Sequence, residues 1–160
     1  MAAGTARGST AAWKGLAPRV LTAAMLLDSN ILIYAAEPEG AFLSNWVENP
    51  AACLASVSRV ETLGFPRWHL LDEPRRIRLT SLVDALVELP LDERITNRAI
   101  ELRRQRKMSL ADSIIAGTAL VYQIPLVTRN SIDFVHIPRL AIIDPFLDPK
   151  SATSPTAPPS

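Results

Sequence analysis

The sequence predicts an α/β fold: a mainly parallel sheet held between layers of helices. Three observations carry this expectation. Short apolar segments of strand length alternate with longer segments whose apolar residues recur at helical spacing, the pattern of parallel sheets with right-handed crossovers. The first of the apolar segments, Met25-Leu26-Leu27, stops abruptly at Asp28-Ser29-Asn30. Further acids then recur beside the ends of later strands, the edge at which open α/β sheets bind their ligands.

Size and composition set the frame. A chain of 160 residues, 48% hydrophobic and 21% charged, suits one globular domain with a sizeable core. No segment approaches the ~20 uninterrupted apolar residues of a membrane-spanning helix. Cys53 is the single cysteine, which excludes an intramolecular disulfide and a thiolate zinc cluster. Its setting, Ala52-Cys53-Leu54-Ala55, predicts a buried thiol in a reducing, cytoplasmic compartment. The net charge of +1 conceals an asymmetry, because residues 1–24 carry Arg7, Lys14 and Arg19 without an acid, leaving 14 basic residues against 16 acids elsewhere. Those first 24 residues, rich in Ala, Gly, Ser and Thr, read as a disordered extension or a misassigned start. Residues 148–160, rich in Pro, Ser, Thr and Ala, read as a disordered tail, so the folded unit is expected at 25–147.

Along that unit each element has a local reason. After the opening strand, apolar residues continue from Ile31 to Ala36 until Glu37-Pro38-Glu39-Gly40 breaks them. Phe42, Trp46 and Val47 then give one face of a helix that stops before Asn49-Pro50. Ala52 to Val57 predicts the second strand, and Ser58 with Glu61 has the spacing of a capping box, which would put Glu61 in a first helical turn. Leu79, Leu82, Val83 and Leu86 define an amphipathic helix entered through Pro74. Val87 to Leu91 follows as a short strand. Asp92 caps a helix that buries Ile95, Ala99 and Leu102 and turns Arg94, Arg98, Arg103 and Arg104 outward. Ser109 caps the next, Leu110 to Gln123, whose nearly unbroken apolar surface predicts a central, closely packed helix. Pro125 to Thr128 and Leu140 to Ile143 complete the strands.

Four carboxylates occupy equivalent places in this layout: Asp28 after a strand, Glu61 and Asp112 in first helical turns, and Asp133 just beyond a strand. Taken singly, each has an ordinary structural explanation as a cap or as a charge favourable to a helix dipole. Taken together they repel, since two carboxylates ~4 Å apart cost roughly 4 kcal/mol at an effective dielectric near 20. A cation relieves that cost, and hard oxygen ligands suit Mg²⁺ or Mn²⁺, ions that serve metal-assisted phosphodiester hydrolysis.

The segments Leu26-Leu-Asp28-Ser-Asn-Ile-Leu-Ile-Tyr34, Ser58-Arg-Val-Glu61-Thr-Leu-Gly64, Ser109-Leu-Ala-Asp112-Ser-Ile-Ile-Ala-Gly-Thr-Ala119 and Val127-Thr-Arg-Asn-Ser-Ile-Asp133-Phe134 resemble the successive motifs of PIN-domain nucleases. The likeness is greatest to the VapC-type toxins of toxin–antitoxin pairs, and runs in order from about Met25 to Phe146. The resemblance implies a three-layer α/β/α fold with a five-stranded parallel sheet, a metal-dependent endoribonuclease activity, a cognate antitoxin as partner and a homodimer. Asp28, Glu61 and Asp112 match the three core acids of the family. The fourth place is open: Asn130 stands where many members carry an acid, and others use an acid just before the Phe, here Asp133. Catalysis and metal binding are accordingly expected of Asp28, Glu61, Asp112 and Asp133, with Asn30, Thr128 and Asn130 in support. Ser29, Asn30 and Thr128 are equally explained as turn and cap residues.

The remaining residues are less pointed. His69 and His136 lie outside the motifs with no partner at metal-ligand spacing, and read as surface or packing residues. The run Arg103-Arg104-Gln105-Arg106-Lys107 is suited to RNA phosphates near Asp112, or equally to the negative end of its own helix. Arg75, Arg76 and Arg78 form a weaker basic group, and Trp46 and Trp68 either cover the core or line a partner groove, with helical spacing favouring the core. Two other classes compete. An aspartyl phosphotransferase of the haloacid-dehalogenase type needs a second Asp where this chain has Asn30. An inactive PIN-like module that binds RNA or protein is disfavoured by the presence of all three core acids, while the open fourth place keeps it as the alternative.

Overall fold

In the computed structural model, which describes residues 24–147, five short strands form one sheet: β1 (Met25–Leu27), β2 (Ala52–Ala55), β3 (Val87–Leu89), β4 (Leu126–Val127) and β5 (Ile142–Ile143). Their order is β3-β2-β1-β4-β5 and every neighbouring pair is parallel, so β1 lies at the centre. The register pairs Leu26 with Cys53 on one side and with Leu126 on the other. The expectations for residues 1–23 and 148–160 lie outside the described residues.

Six α-helices cover the sheet among the described residues: α1 (Ser29–Ala35), α2 (Ser44–Val47), α3 (Ser56–Leu63), α4 (Glu73–Ala85), α5 (Glu93–Gln105) and α6 (Leu110–Tyr122). Because side chains alternate along a strand, the sheet feeds two separate cores. Met25, Leu27, Ala52, Leu54 and Val127 pack with Ile31, Leu32 and Ala35 of α1, Trp46 and Val47 of α2, and Leu79, Leu82 and Val83 of α4. Leu26, Cys53, Ala55, Leu89 and Leu126 pack on the opposite face with Leu102 of α5 and Ile115, Ala116 and Ala119 of α6. This is the three-layer α/β/α arrangement, with strands buried on both faces and hence continuously apolar rather than alternating. Gly117 lets α6 approach α5 closely: a Cβ there would lie 3.2 Å from the Ile95 carbonyl oxygen and 3.3 Å from the Ala99 nitrogen.

Several local expectations hold. Asp92 Oδ1 accepts from the Ile95 N–H at 3.0 Å and Ser109 Oγ from the Asp112 N–H at 3.0 Å, each capping its helix as read. Cys53 and Trp46 are buried, and no helix is long and apolar enough to cross a membrane among the described residues. Others need correction. The apolar run after Asn30 is helix α1, and Phe42, Trp46 and Val47 are shared between a 3₁₀ turn, Pro38–Leu43, and the short α2. The capping box at Ser58 does not form. Strand β2 ends at Ala55 and the chain turns at once, so α3 starts at Ser56 with Ala55 as its cap residue and no side-chain bond there. Ser58 is thus inside the helix, fully buried, its Oγ unpaired, while its carbonyl accepts from Thr62 Oγ1 at 2.6 Å. Glu61 consequently sits in the second turn of α3 rather than the first.

Candidate active site

The sheet order fixes where a site belongs. From β1 the chain crosses to β2 on one side, whereas β4 and β5 extend the sheet on the other, so the loops after β1 and β4 part at a topological switch point. Asp28 immediately follows β1 and Thr128 immediately follows β4. The Asp28 N–H donates to the Val127 carbonyl at 3.0 Å, extending the ladder by one bond before the chain turns into α1. Asp28 holds an extended backbone (φ −75°, ψ 153°) as the N-cap of α1.

Its carboxylate is 5% exposed and nearly saturated with donors. Oδ1 accepts from the Ser29 N–H at 2.7 Å. Oδ2 accepts from Thr128 Oγ1 at 2.8 Å and from the Asn30 amide at 3.1 Å. Thr128 Oγ1 in turn accepts from the Asn130 N–H at 3.0 Å, and Asn30 Oδ1 accepts from the Arg129 N–H at 3.3 Å. The two loops are therefore stitched together through Asp28. Ser29 Oγ lies 3.0 Å from Glu61 Oε2 and 3.5 Å from Asp28 Oδ1; with one proton to give, it donates to Glu61. That bond brings α3 to the site from 32 residues away.

Burial pushes the Asp28 carboxyl up from 3.8 to about 6; the bonds from Thr128 and the Ser29 N–H pull it down, and the charges of Glu61 and Asp112 push it further up. Asp28, Glu61 and Asp112 thus share one electrostatic neighbourhood. Asp112 is half-buried in the first turn of α6. Asp133 is exposed on a 3₁₀ turn, Ser131–Asp133, and no hydrogen bond or ion pair among the described residues links it to the other acids; Asn130, exposed as well, accepts from the Asp133 N–H through its carbonyl at 3.0 Å. His69 is exposed and His136 half-buried. Arg103, Arg104, Arg106 and Lys107 are exposed and form no ion pair among the described residues.

The residues present suit a hard divalent cation. Among the described residues no three His, Cys, Asp or Glu side chains stand close enough to enclose an ion unaided. Mg²⁺ does not require such a cage, since it keeps several waters and is held by one or two carboxylates. A buried carboxylate whose ionisation is opposed by burial and by two further acids is the arrangement that a bound cation stabilises.

Reasoning from sequence overlooked Arg129. Its guanidinium lies 4.5 Å from the ring centroid of Phe146 and 5.3 Å from that of Tyr34. Its place directly after Thr128 was the available signal, but the rings come from distant parts of the chain.

The fold and the switch point define an α/β domain with a buried acid at the carboxyl edge of its sheet, and comparison with known proteins supplies the family. A PIN domain profile matches residues 25–140, and the chain belongs to the PIN domain family. Among solved structures, a toxin–antitoxin complex from Klebsiella pneumoniae matches with 27% identity and a TM-score of 0.60, covering 76% of this chain and 98% of that one. DNA-bound VapBC from Salmonella typhimurium matches at 21% identity and a TM-score of 0.65, covering 76% and 97%. FitAcB from Neisseria gonorrhoeae matches at 22% and 0.62, covering 76% and 98%. The latter two speak for the fold alone. No curated protein sequence matches.

Proposed function

We propose that this chain is a metal-dependent endoribonuclease and the toxin of a toxin–antitoxin pair, with residues 25–147 as its nuclease unit. The observation that carries the reading is the buried Asp28 carboxylate at the sheet's switch point, its charge opposed by Glu61 and Asp112. The toxin assignment is supported by the similarity to toxin–antitoxin complexes, and an antitoxin partner, a homodimer and a cytoplasmic location go with it.

In this reading Asp28, Glu61 and Asp112 would hold Mg²⁺ or Mn²⁺ together with waters that the ion retains. When bound, the ion lowers the pKa of water for attack on an RNA phosphodiester and stabilises charge on the leaving oxygen. Thr128, Asn30 and the Ser29 N–H fix the Asp28 carboxylate in one orientation, so its oxygens are placed before any ligand arrives. Ser29 does the same for Glu61. No histidine lies in this network, so proton acceptance does not fall to an imidazole. Asp133, exposed on the 3₁₀ turn after β4, would complete the set as the fourth catalytic and metal-binding acid.

Purified Asp28→Asn and Asp112→Asn are expected to lose Mg²⁺- or Mn²⁺-dependent cleavage of a labelled RNA while keeping the wild-type circular-dichroism spectrum. Undiminished cleavage by both variants would overturn the reading. Retention of RNA by the wild type without cleavage at any metal concentration would instead identify a binding module.

A further inference from the structure

We propose that Arg129 is a phosphate-positioning residue, held on an aromatic platform so that its guanidinium receives a phosphodiester of a single-stranded polynucleotide beside the acidic site. The inference rests on the nuclease reading above and deepens it.

The platform is built from three distant segments. Tyr34 near the end of α1, Phe42 in the following 3₁₀ turn and Phe146 after β5 meet edge to face, with centroids 5.0 Å apart for Tyr34–Phe146, 5.1 Å for Phe42–Phe146 and 6.2 Å for Tyr34–Phe42. Such edge-to-face packing is the arrangement aromatic quadrupoles favour. Gly40 makes it possible, because a Cβ there would collide with the Tyr34 carbonyl oxygen. Arg129 then lies against two of the rings, at 4.5 Å from Phe146 and 5.3 Å from Tyr34, both within the ~6 Å of a cation–π contact.

Three features separate this arginine from an ordinary surface cation. It is exposed, yet its position is fixed at both ends: the guanidinium by the rings, and the backbone by the N–H bond to Asn30 Oδ1, whose amide holds Asp28. It forms no ion pair among the described residues although acids crowd the neighbouring site, and it differs from the equally unpaired Arg103, Arg104 and Arg106 in being seated against aromatic rings. Beyond the two rings its side chain forms no hydrogen bond among the described residues, which leaves the N–H fork open. A planar fork seated against aromatic rings and open to hydrogen bonding is suited to bidentate contact with phosphate oxygens, and its positive charge offsets the repulsion that a polyanion would meet at Asp28, Glu61 and Asp112.

The test measures affinity separately from cleavage. A fluorescein-labelled, mixed-sequence single-stranded RNA of about 20 nucleotides is titrated in EDTA by anisotropy, across a salt series, with the full chain and its Arg129→Gln, Arg129→Lys and Phe146→Leu variants. Arg129→Gln is expected to weaken binding about tenfold or more and to reduce the slope of log K against log salt by about 0.7, the loss of one phosphate contact. Arg129→Lys keeps the slope but loses part of the affinity, and Phe146→Leu weakens binding with the slope intact. Binding within twofold of wild type and an unchanged slope for Arg129→Gln would overturn the proposal, as would absence of binding by the wild type. The two readings fail separately. Arg129-dependent binding without metal-dependent cleavage refutes the nuclease and leaves the clamp; metal-dependent cleavage with KM and salt slope unaltered in Arg129→Gln refutes the clamp and leaves the nuclease.

Discussion

Replacing Asp28 by Asn should stabilise the metal-free protein at neutral pH, because the folded state holds an acid that it disfavours as an anion. A carboxyl raised from 3.8 to about 6 costs the folded state about 3 kcal/mol at pH 7 relative to the unfolded chain. The sign follows from the direction of the displacement. Between pH 3.8 and about 6 the folded state keeps a proton that the unfolded chain has lost, so this group's contribution is fully present below 3.8 and disappears as pH rises through 6. Asn removes the ionisation, but its NH₂ cannot accept from the Asn30 amide, and that mismatch returns about 1–2 kcal/mol. A net gain of about 1–2 kcal/mol remains for Asp28→Asn at pH 7.5, vanishing or reversing near pH 4. Urea unfolding in EDTA at pH 4, 5.5 and 7.5 measures it as a midpoint difference of order 1 M at the highest pH. Added Mg²⁺ should then raise the wild-type midpoint and leave that of Asp28→Asn in place. Parallel pH profiles for the two proteins, or a variant less stable than wild type at pH 7.5, would refute the reasoning.

Three further outcomes follow from the packing. Thr128→Val keeps the shape but leaves Asp28 Oδ2, the Asn30 amide and the Asn130 N–H each short of a partner, and should cost about 1–3 kcal/mol in urea unfolding together with a large fall in metal-dependent cleavage. Ser58→Ala should be neutral or stabilising by up to about 1 kcal/mol, since the buried hydroxyl is unpaired; a capping serine would instead lose about 1 kcal/mol, so the sign of the change in thermal midpoint decides between the two. Gly40→Ala should destabilise by about 3 kcal/mol by forcing the 3₁₀ turn away from the Tyr34 backbone, readable as a thermal shift with weakened RNA binding.

The layers of the fold were legible because they rest on periodicity. Leu79, Leu82, Val83 and Leu86 on one side of the sheet, and Ile95, Ala99 and Leu102 on the other, are buried as their spacing requires. Asp92 and Ser109 cap helices as expected because their side chains act on backbone two or three residues away. Ser58 was misread for a physical reason: a serine followed at three by a glutamate looks the same at a helix start as one turn inside it, and only the length of β2, set by pairing with Val87 to Leu89, distinguishes them. The acids could be named from motif spacing, but not their state. That Asp28 is buried, bonded to Thr128 100 residues away and pushed toward neutrality follows from which strands are neighbours, information that no local window contains. Arg129 was invisible for the same reason, since Tyr34, Phe42 and Phe146 converge only when β5 joins the sheet edge.

The central claim, hydrolysis by metal-activated water at the Asp28 site, is tested most directly by cleaving a labelled RNA in ¹⁸O-enriched water with Mg²⁺ or Mn²⁺ and analysing the new ends by mass spectrometry. The account predicts one ¹⁸O atom in the phosphate at each cut, no 2′,3′-cyclic phosphate, and no cutting in EDTA. Cyclic phosphate ends, formed at an undiminished rate in EDTA, would contradict it.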